Sequence, residues 1–326
     1  MIRAQPPYPW QDTLWQHFVS QVRDARVAHA TLITGKRGTG LVELAEGMAH
    51  YLLCIAPLDD LACGQCRSCQ LFASQSHPDY RTLYPEEGKQ QIRIDQVRDL
   101  QEYIGKTAQM NGRKLILLAP AEAMNESAAN ALLKNLEEPA GDTVFLLVSH
   151  FPRQVKPTIR SRCAKLAAPL PAADTATKWL NDQGVSSAQS LLTQAAGEPL
   201  TVLEWNNNGV YAAREELINT LAAYGLGQCS RQQLLQVASK MDIALTLNAL
   251  LTWLETLITA AHTHALPVFL TPLERTLVDP KIQELYRGID KLQKRRADLQ
   301  DGYNLNSDLL LDELLRDWCQ AVLAKF

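Results

Sequence analysis

The chain has 326 residues, of which 46% are hydrophobic, and a formal net charge of -3 at pH 7. This length and apolar content exclude a disordered polypeptide and allow two or three domains, each with its own core. So small a net charge excludes a long-range field that would draw the whole molecule to nucleic acid, so any DNA contact must be local. The stretch from Met1 to Trp10 is rich in proline and lacks an apolar leader core, and no uninterrupted apolar run reaches about 18 residues. The expectation is a cytoplasmic protein that does not engage membranes.

From Arg26 to about Leu166, short apolar runs alternate with amphipathic stretches, the pattern of βαβ units in a largely parallel sheet. Strands are predicted at Ala30-Ile33, Tyr80-Tyr84, Lys114-Ala119, Val144-Ser149 and Ala164-Ala167, where Leu, Ile and Val follow one another with little alternation, as strands covered on both faces require. Helical runs are predicted at Val42-Leu53, at Ile94-Ile104 and at Ser127-Glu138. In the last, Asn125 is the expected N-cap, Pro139 forbids continuation, and Ala129, Leu132, Leu133 and Leu136 form one apolar stripe. Strand signals fade after Ala167-Ala168-Pro169-Leu170-Pro171. Short amphipathic pieces at Asp174-Asn181, Ala188-Ala196 and Leu200-Trp205 suggest a small helical subdomain ending near Asn206-Asn207-Asn208-Gly209. Five or so helices follow from Tyr211, among them Ile243-His262, Pro280-Ala297 and Ser307-Ala324, as in a helical bundle. The expected division is an α/β domain over 1-167, a small helical domain over 168-207 and an all-α domain over 208-326.

Two glycine-rich and cysteine-rich segments carry the chemistry. Gly35-Lys36-Arg37-Gly38-Thr39-Gly40-Leu41-Val42 follows the first strand with the outer glycines at P-loop spacing. A working loop continues with Lys, which reaches the β/γ-phosphates, and Ser or Thr, which holds Mg²⁺; Leu41 and Val42 can do neither. The strand that ends at Ala119 runs into Pro120 where a hydrolysing enzyme places acids, and Glu122 lies two positions too far along. The loop is therefore read as a tight turn with no bound nucleotide of its own, with weak or vestigial phosphate binding through its backbone N–H groups left open. Cys63, Cys66 and Cys69 form C-x2-C-x2-C, with Cys54 nine residues upstream. Four thiolates so close together can close a tetrahedral Zn²⁺ site over an insertion at 54-69, and with no gap left for water the metal would be structural. The overlapping spacing leaves iron-sulfur or thiol-redox chemistry open, although the ferredoxin Cys-Pro ending is missing. His77, before a proline, is left out of the shell.

Ser161-Arg162-Cys163 follows the helix-like turn Pro157-Thr158-Ile159-Arg160, where an exposed guanidinium can reach a neighbour's γ-phosphate. Arg160 carries the same charge two residues earlier. Lys89, Arg93, Arg98, Lys106, Arg113 and Lys114 make one basic interval that could touch DNA phosphates without reading sequence.

Taken together, the cysteine insertion ending in His77-Pro78-Asp79-Tyr80, Ile94-Asp95-Gln96-Val97-Arg98, Ala129 through Pro139 (ANALLKNLEEP) and Thr158 through Cys163 resemble the clamp-loader branch of the AAA+ family, and Asn304 through Leu311 (NLNSDLLL) resembles its last collar helix. The resemblance spans essentially the whole chain. It implies a RecA-like AAA+ domain with a zinc module, a helical lid and a helical collar through which subunits assemble. It also implies zinc at Cys54, Cys63, Cys66 and Cys69. Motor subunits of that family keep the P-loop Lys and Thr, the acidic strand end and a lid arginine; here Leu41, Val42, Pro120 and Leu200 stand there. The implied role is a stator without ATP of its own, in which Arg162 acts on ATP held by an adjacent subunit. The implied partners are the delta and gamma/tau subunits, a sliding clamp and primer-template DNA. The rivals are an autonomous zinc-containing P-loop ATPase, with Lys36 or Arg37 replacing the missing lysine, and a redox protein built on Cys63 and Cys66.

Overall fold

The computed structural model describes residues 8–110, 112–263, 265–273, 282–300 and 307–323. The described residues fall into two compact units, one over Met1–Trp179 with Gly197–Leu200 and the other over Leu180–Ala196 with Thr201–Phe326.

In the first unit, α1 (Asp12–Arg23) precedes β1 (Ala30–Thr34), α2 (Leu41–Leu53) and α3 (Arg67–Ala73). Then come β2 (Tyr80–Leu83), α4 (Ile94–Gly105), β3 (Arg113–Leu118), α5 (Glu126–Glu137), β4 (Asp142–Ser149), α6 (Pro157–Arg160) and β5 (Ala164–Ala167). The five strands form one parallel sheet in the order β2-β3-β4-β1-β5. All five expected strands are present. In the central strands the alternation of side chains explains a nearly continuous apolar sequence: Leu115 and Leu117 of β3 pack with α1 and α2, whereas Ile116 and Leu118 pack with α4 and α5. The edge strands β2 and β5 differ from the expected double cover, with Arg81, Thr82 and Lys165 exposed. Asn125 caps α5 as expected, its side chain accepting from the Ala128 N–H at 2.8 Å. On the same helix Ala129, Leu132 and Leu136 are buried and Leu133 is half-buried.

Two helices had not been expected. The Trp15, Phe18, Val19 and Val22 face of α1 closes the sheet beside α2, and α3 begins inside the cysteine cluster.

After β5 in the chain come α7 (Ala173–Asp182), α8 (Ala188–Gln194) and α9 (Pro199–Asn207). Five further helices follow, α10 (Val210–Gly225), α11 (Arg231–Ala238), α12 (Ile243–Thr263), α13 (Ile282–Gln300) and α14 (Ser307–Val322). Pro280, Ala324 and the Asn304-Leu305-Asn306 part of the C-terminal motif lie outside the described residues. By length and composition α12 could cross a membrane. Here it is the central helix of the bundle, with Leu247, Leu250, Trp253, Leu254 and Leu257 buried. Trp318 of α14 donates to the Leu250 carbonyl at 3.1 Å, and a Cβ on Gly288 would lie 2.6 Å from Ala321 Cβ, so glycine lets α13 approach α14.

Candidate functional site

The glycine loop connects β1 to α2, and Gly40 caps α2 at φ 79°, a left-handed conformation that costs glycine little. Leu41 is buried in the sheet core and Val42 is half-buried against it. Their side chains therefore serve packing where a phosphate site would need an ammonium and a hydroxyl. The chain's N-terminal aromatics lie over the loop. A Cβ on Gly40 would sit 2.2 Å from Tyr8 Cε2. The Tyr8 ring stacks on Trp10 at 4.9 Å and meets Trp179 edge-on at 5.5 Å. Trp10 Nε1 and Gln11 Nε2 each donate to the Thr39 carbonyl at 2.9 Å, and Gln11 also donates to that of Gly40 at 2.7 Å. Burial and the Glu43 carboxylate push the Tyr8 phenol up to about 12.

The possible substitutes for the missing lysine are engaged elsewhere. Lys36 Nζ is 3.5 Å from Glu198, and Arg37 lies over the Phe151 ring at 5.4 Å. Leu200, at the lid-arginine position, donates its backbone N–H to the Gly38 carbonyl at 3.0 Å. Glu122 lies in the short 3-10 turn Ala121–Ala123, and its Oε1 accepts from the backbone N–H groups of His150 and Phe151, at 3.1 and 3.2 Å, tying the segment after β3 to the end of β4.

Cys54, Cys63, Cys66 and Cys69 are brought together, with their four Sγ atoms all within 4.8 Å of one another. The separation of Cys63 and Cys69 Sγ, 3.9 Å, matches the edge of roughly 3.8 Å that a tetrahedron of Zn–S bonds requires. Cys54 caps the end of α2 and Cys66 the start of α3, so two helix ends supply ligands. Backbone N–H groups of Cys63, Cys66 and Cys69 point at the sulfurs of Cys54, Cys63 and Cys66, at 3.3, 3.4 and 3.4 Å. N–H groups of Gln65 and Cys66 pull the Cys63 thiol down to about 6, while burial holds those of Cys54 and Cys69 up. A donor set of four sulfurs, half of it buried and already receiving N–H bonds, fits a metal ion with no open position.

His77 is a brace beside that cluster. Its Nδ1 accepts from the Asp79 N–H at 3.1 Å, which leaves Nε2 to donate to Ser68 Oγ at 2.9 Å, and Ser68 in turn donates to the Leu53 carbonyl at 2.6 Å. Burial keeps its pKa below the ordinary histidine value, consistent with this neutral tautomer. Asp79 accepts from the N–H groups of Gln109 and Met110, at 2.7 and 2.8 Å. The His-Pro-Asp-Tyr run thus ties the cysteine insertion to the loop before β3.

Arg162 follows α6 and is half-buried. Its Nε donates to Glu137 Oε1 at 2.6 Å, Nη2 reaches the same oxygen, and Nη1 donates to the Thr158 carbonyl at 2.9 Å. Arg160 differs: its Nη1 approaches the Pro152 carbonyl at 3.4 Å and its Nε is buried without a partner. Cys163 anchors the triplet in the core, its thiol pushed up to about 11 by burial.

The basic interval is largely neutralised by its neighbours. Arg98 pairs with Asp95, Lys106 with Glu102 and Arg113 with Asp142. Lys114 is buried, and its Nζ donates to the carbonyls of Tyr103, Ile104 and Lys106 at the end of α4. It is a helix C-cap and is withdrawn from the set of phosphate-contact candidates.

Comparison with known proteins agrees with this geometry. The family model described as "DNA polymerase III, delta subunit" matches residues 10–170, and that described as "DNA polymerase III, delta subunit, C terminal" matches residues 209–320. The DNA polymerase III subunit delta' of Pseudomonas aeruginosa is 39% identical over 95% of this chain and 97% of that protein. The chain belongs to the DNA polymerase III delta' family. Its relative from Escherichia coli is 31% identical over 94% of each chain. A DNA polymerase III gamma subunit-related protein from Thermotoga maritima superposes with a TM-score of 0.52 over 96% of this chain and 99% of that one, at 18% identity, which shows a shared fold. A parallel α/β sheet domain followed by an all-helical C-terminal part is the fold the two chains share.

Proposed function

We propose that the chain is the non-hydrolysing stator of a clamp loader. It helps to place a sliding clamp on primed DNA and lends Arg162 to ATP bound by a neighbouring subunit. One observation carries this reading. The chain's own phosphate loop has Leu41 in the core and Tyr8 against Gly40, whereas the guanidinium of Arg162 remains half-exposed beyond the sheet. A protein with nothing to hold Mg-ATP and an arginine at an accessible turn suits a role in trans, in which the guanidinium stabilises charge on transferring phosphoryl oxygens. Its partners are the delta and gamma/tau subunits, the clamp and primer-template DNA bound without sequence preference, in the cytoplasm. Cys54, Cys63, Cys66 and Cys69 hold a structural zinc. The division into an AAA+ domain over 1–167, a lid over 168–207 and a collar over 208–326 is supported by family matches that end at 170 and resume at 209.

The test is reconstitution of the assembly with Arg162→Ala. Hydrolysis at the site served by Arg162 is expected to be all but lost, since such arginines are worth on the order of 10³ to 10⁵ at a single site, so the total DNA-stimulated rate should fall by that site's share. Hydrolysis at the wild-type rate refutes the role.

A further inference from the structure

We propose that Glu137 is the positioning residue for Arg162. The proposal rests on the reading of Arg162 given above and extends it to a second side chain. Arg162 is held from two sides. Its own turn contributes the Thr158 carbonyl to Nη1 at 2.9 Å and, at 3.4 Å, Ser161 Oγ. The acceptor that comes from another element is Glu137 Oε1, on the last residue of α5, which takes both Nε, at 2.6 Å, and Nη2. A guanidinium has five N–H groups in a rigid plane, so fixing Nε and Nη1 fixes the plane, and the second hydrogen of Nη2 is left for an incoming oxygen.

The carboxylate has reason to stay on this partner. It sits in the last turn of α5, where the helix dipole disfavours a negative charge and a cation relieves it. The pair is partly open to solvent, with the Arg162 and Glu137 side chains 33% and 49% exposed. Its worth lies in the orientation of one group more than in the stability of the fold. Glu137 touches no substrate in this scheme. It acts by keeping the arginine aimed, so that the conformational cost of ordering a long side chain is met before ATP arrives.

The experiment reconstitutes the assembly with Glu137→Ala, Glu137→Gln, Arg162→Ala and the double variant, and measures DNA-stimulated ATP hydrolysis as kcat and KM. Glu137→Ala is expected to lower turnover at the site served by Arg162 about 2- to 5-fold, the worth of a partly exposed ion pair. KM for ATP should stay unchanged, because nucleotide is bound by the neighbour. Glu137→Gln keeps an accepting oxygen and should lose less. The double variant should match Arg162→Ala. A wild-type kcat for Glu137→Ala beside an impaired Arg162→Ala overturns the positioning role alone. A double variant slower than Arg162→Ala also overturns it, by showing that Glu137 acts through the fold or assembly. An unimpaired Arg162→Ala removes the reading beneath both. If Glu137→Ala lowers the melting temperature, the Gln variant, which preserves packing, decides.

Discussion

Gly40→Ala tests whether the phosphate loop is closed by the chain's own aromatics. Two costs follow from the geometry. At φ 79° a residue with a Cβ is strained, by about 1 kcal/mol for one left-handed position. The new methyl would also lie 2.2 Å from Tyr8 Cε2 and 2.3 Å from Cδ2, closer than non-bonded atoms approach. The Tyr8 ring cannot yield by a small rotation, because Trp10 is stacked on it at 4.9 Å and Trp179 abuts it at 5.5 Å. It must leave both, at about 0.5–1.5 kcal/mol for each pair. The substitution should therefore destabilise by roughly 2–4 kcal/mol in urea unfolding, and by only about 1 kcal/mol in a Tyr8→Ala background, where the clash is gone. Strict additivity of Gly40→Ala and Tyr8→Ala, to within about 0.5 kcal/mol, would refute the account and mean that Tyr8 stands clear of the loop.

Protein purified under reducing conditions should carry stoichiometric zinc; chelation, or the double change Cys63→Ser with Cys66→Ser, should remove it and lower stability by roughly 3 kcal/mol or more. Metal-free protein whose melting is indifferent to chelator would contradict the structural role. Arg214 is buried between Trp205 and Trp253, at 4.2 and 5.5 Å from their rings, with Nε and Nη2 lacking acceptors. Burial pushes its pKa down to about 10. Because the folded value is depressed, the stability gained on deprotonation appears only above pH 10, and at neutral pH the buried charge is a cost offset by the two rings. Arg214→Met is therefore expected to change stability at pH 7 by less than about 1 kcal/mol. A loss above about 2 kcal/mol would show that the guanidinium has a stronger partner than the indoles.

The central strands β1, β3 and β4 were legible because they are covered on both faces and so are nearly continuously apolar, whereas the edge strands β2 and β5, with Arg81, Thr82 and Lys165 exposed, carry a weaker signal. Asn125 and the stripe of α5 were legible for a similar reason, being local chemistry. The α1 helix could have been found. Its Trp15, Phe18, Val19 and Val22 keep helical spacing just after the proline-rich start. Lys114 was misread because a lysine beside a strand ordinarily reaches solvent. Only the convergence of three carbonyls at the end of α4 turns it inward. Nothing near Gly40 in sequence announces Tyr8, and nothing near Tyr8 announces Trp179. Glu137 lies inside the ANALLKNLEEP run, yet its partner is 25 residues further along the chain.

The cysteine insertion is bound into the domain at more points than a metal alone would require. Ser68, on α3, bonds the last turn of α2 and His77, while the Asp79 side chain holds Gln109 and Met110 ahead of β3. At the other end of the insertion, Asp60 offers its carbonyl to Trp15 at 3.0 Å and its carboxylate to Arg23. Trp15 belongs to α1, and α1 begins immediately after Gln11, which donates to the carbonyls of Thr39 and Gly40. Through Asp60 the cysteine insertion is thus attached to both the first turn and the last residue of the helix whose N-terminal flank holds the phosphate loop. Loss of metal would loosen Asp60 and with it Trp15 and Arg23, and would reach Tyr8 and Gly40 only if Gln11 moves with the first turn of α1. An α1 that frays locally would leave the loop covered, so the two features are separable by experiment even though they share a support.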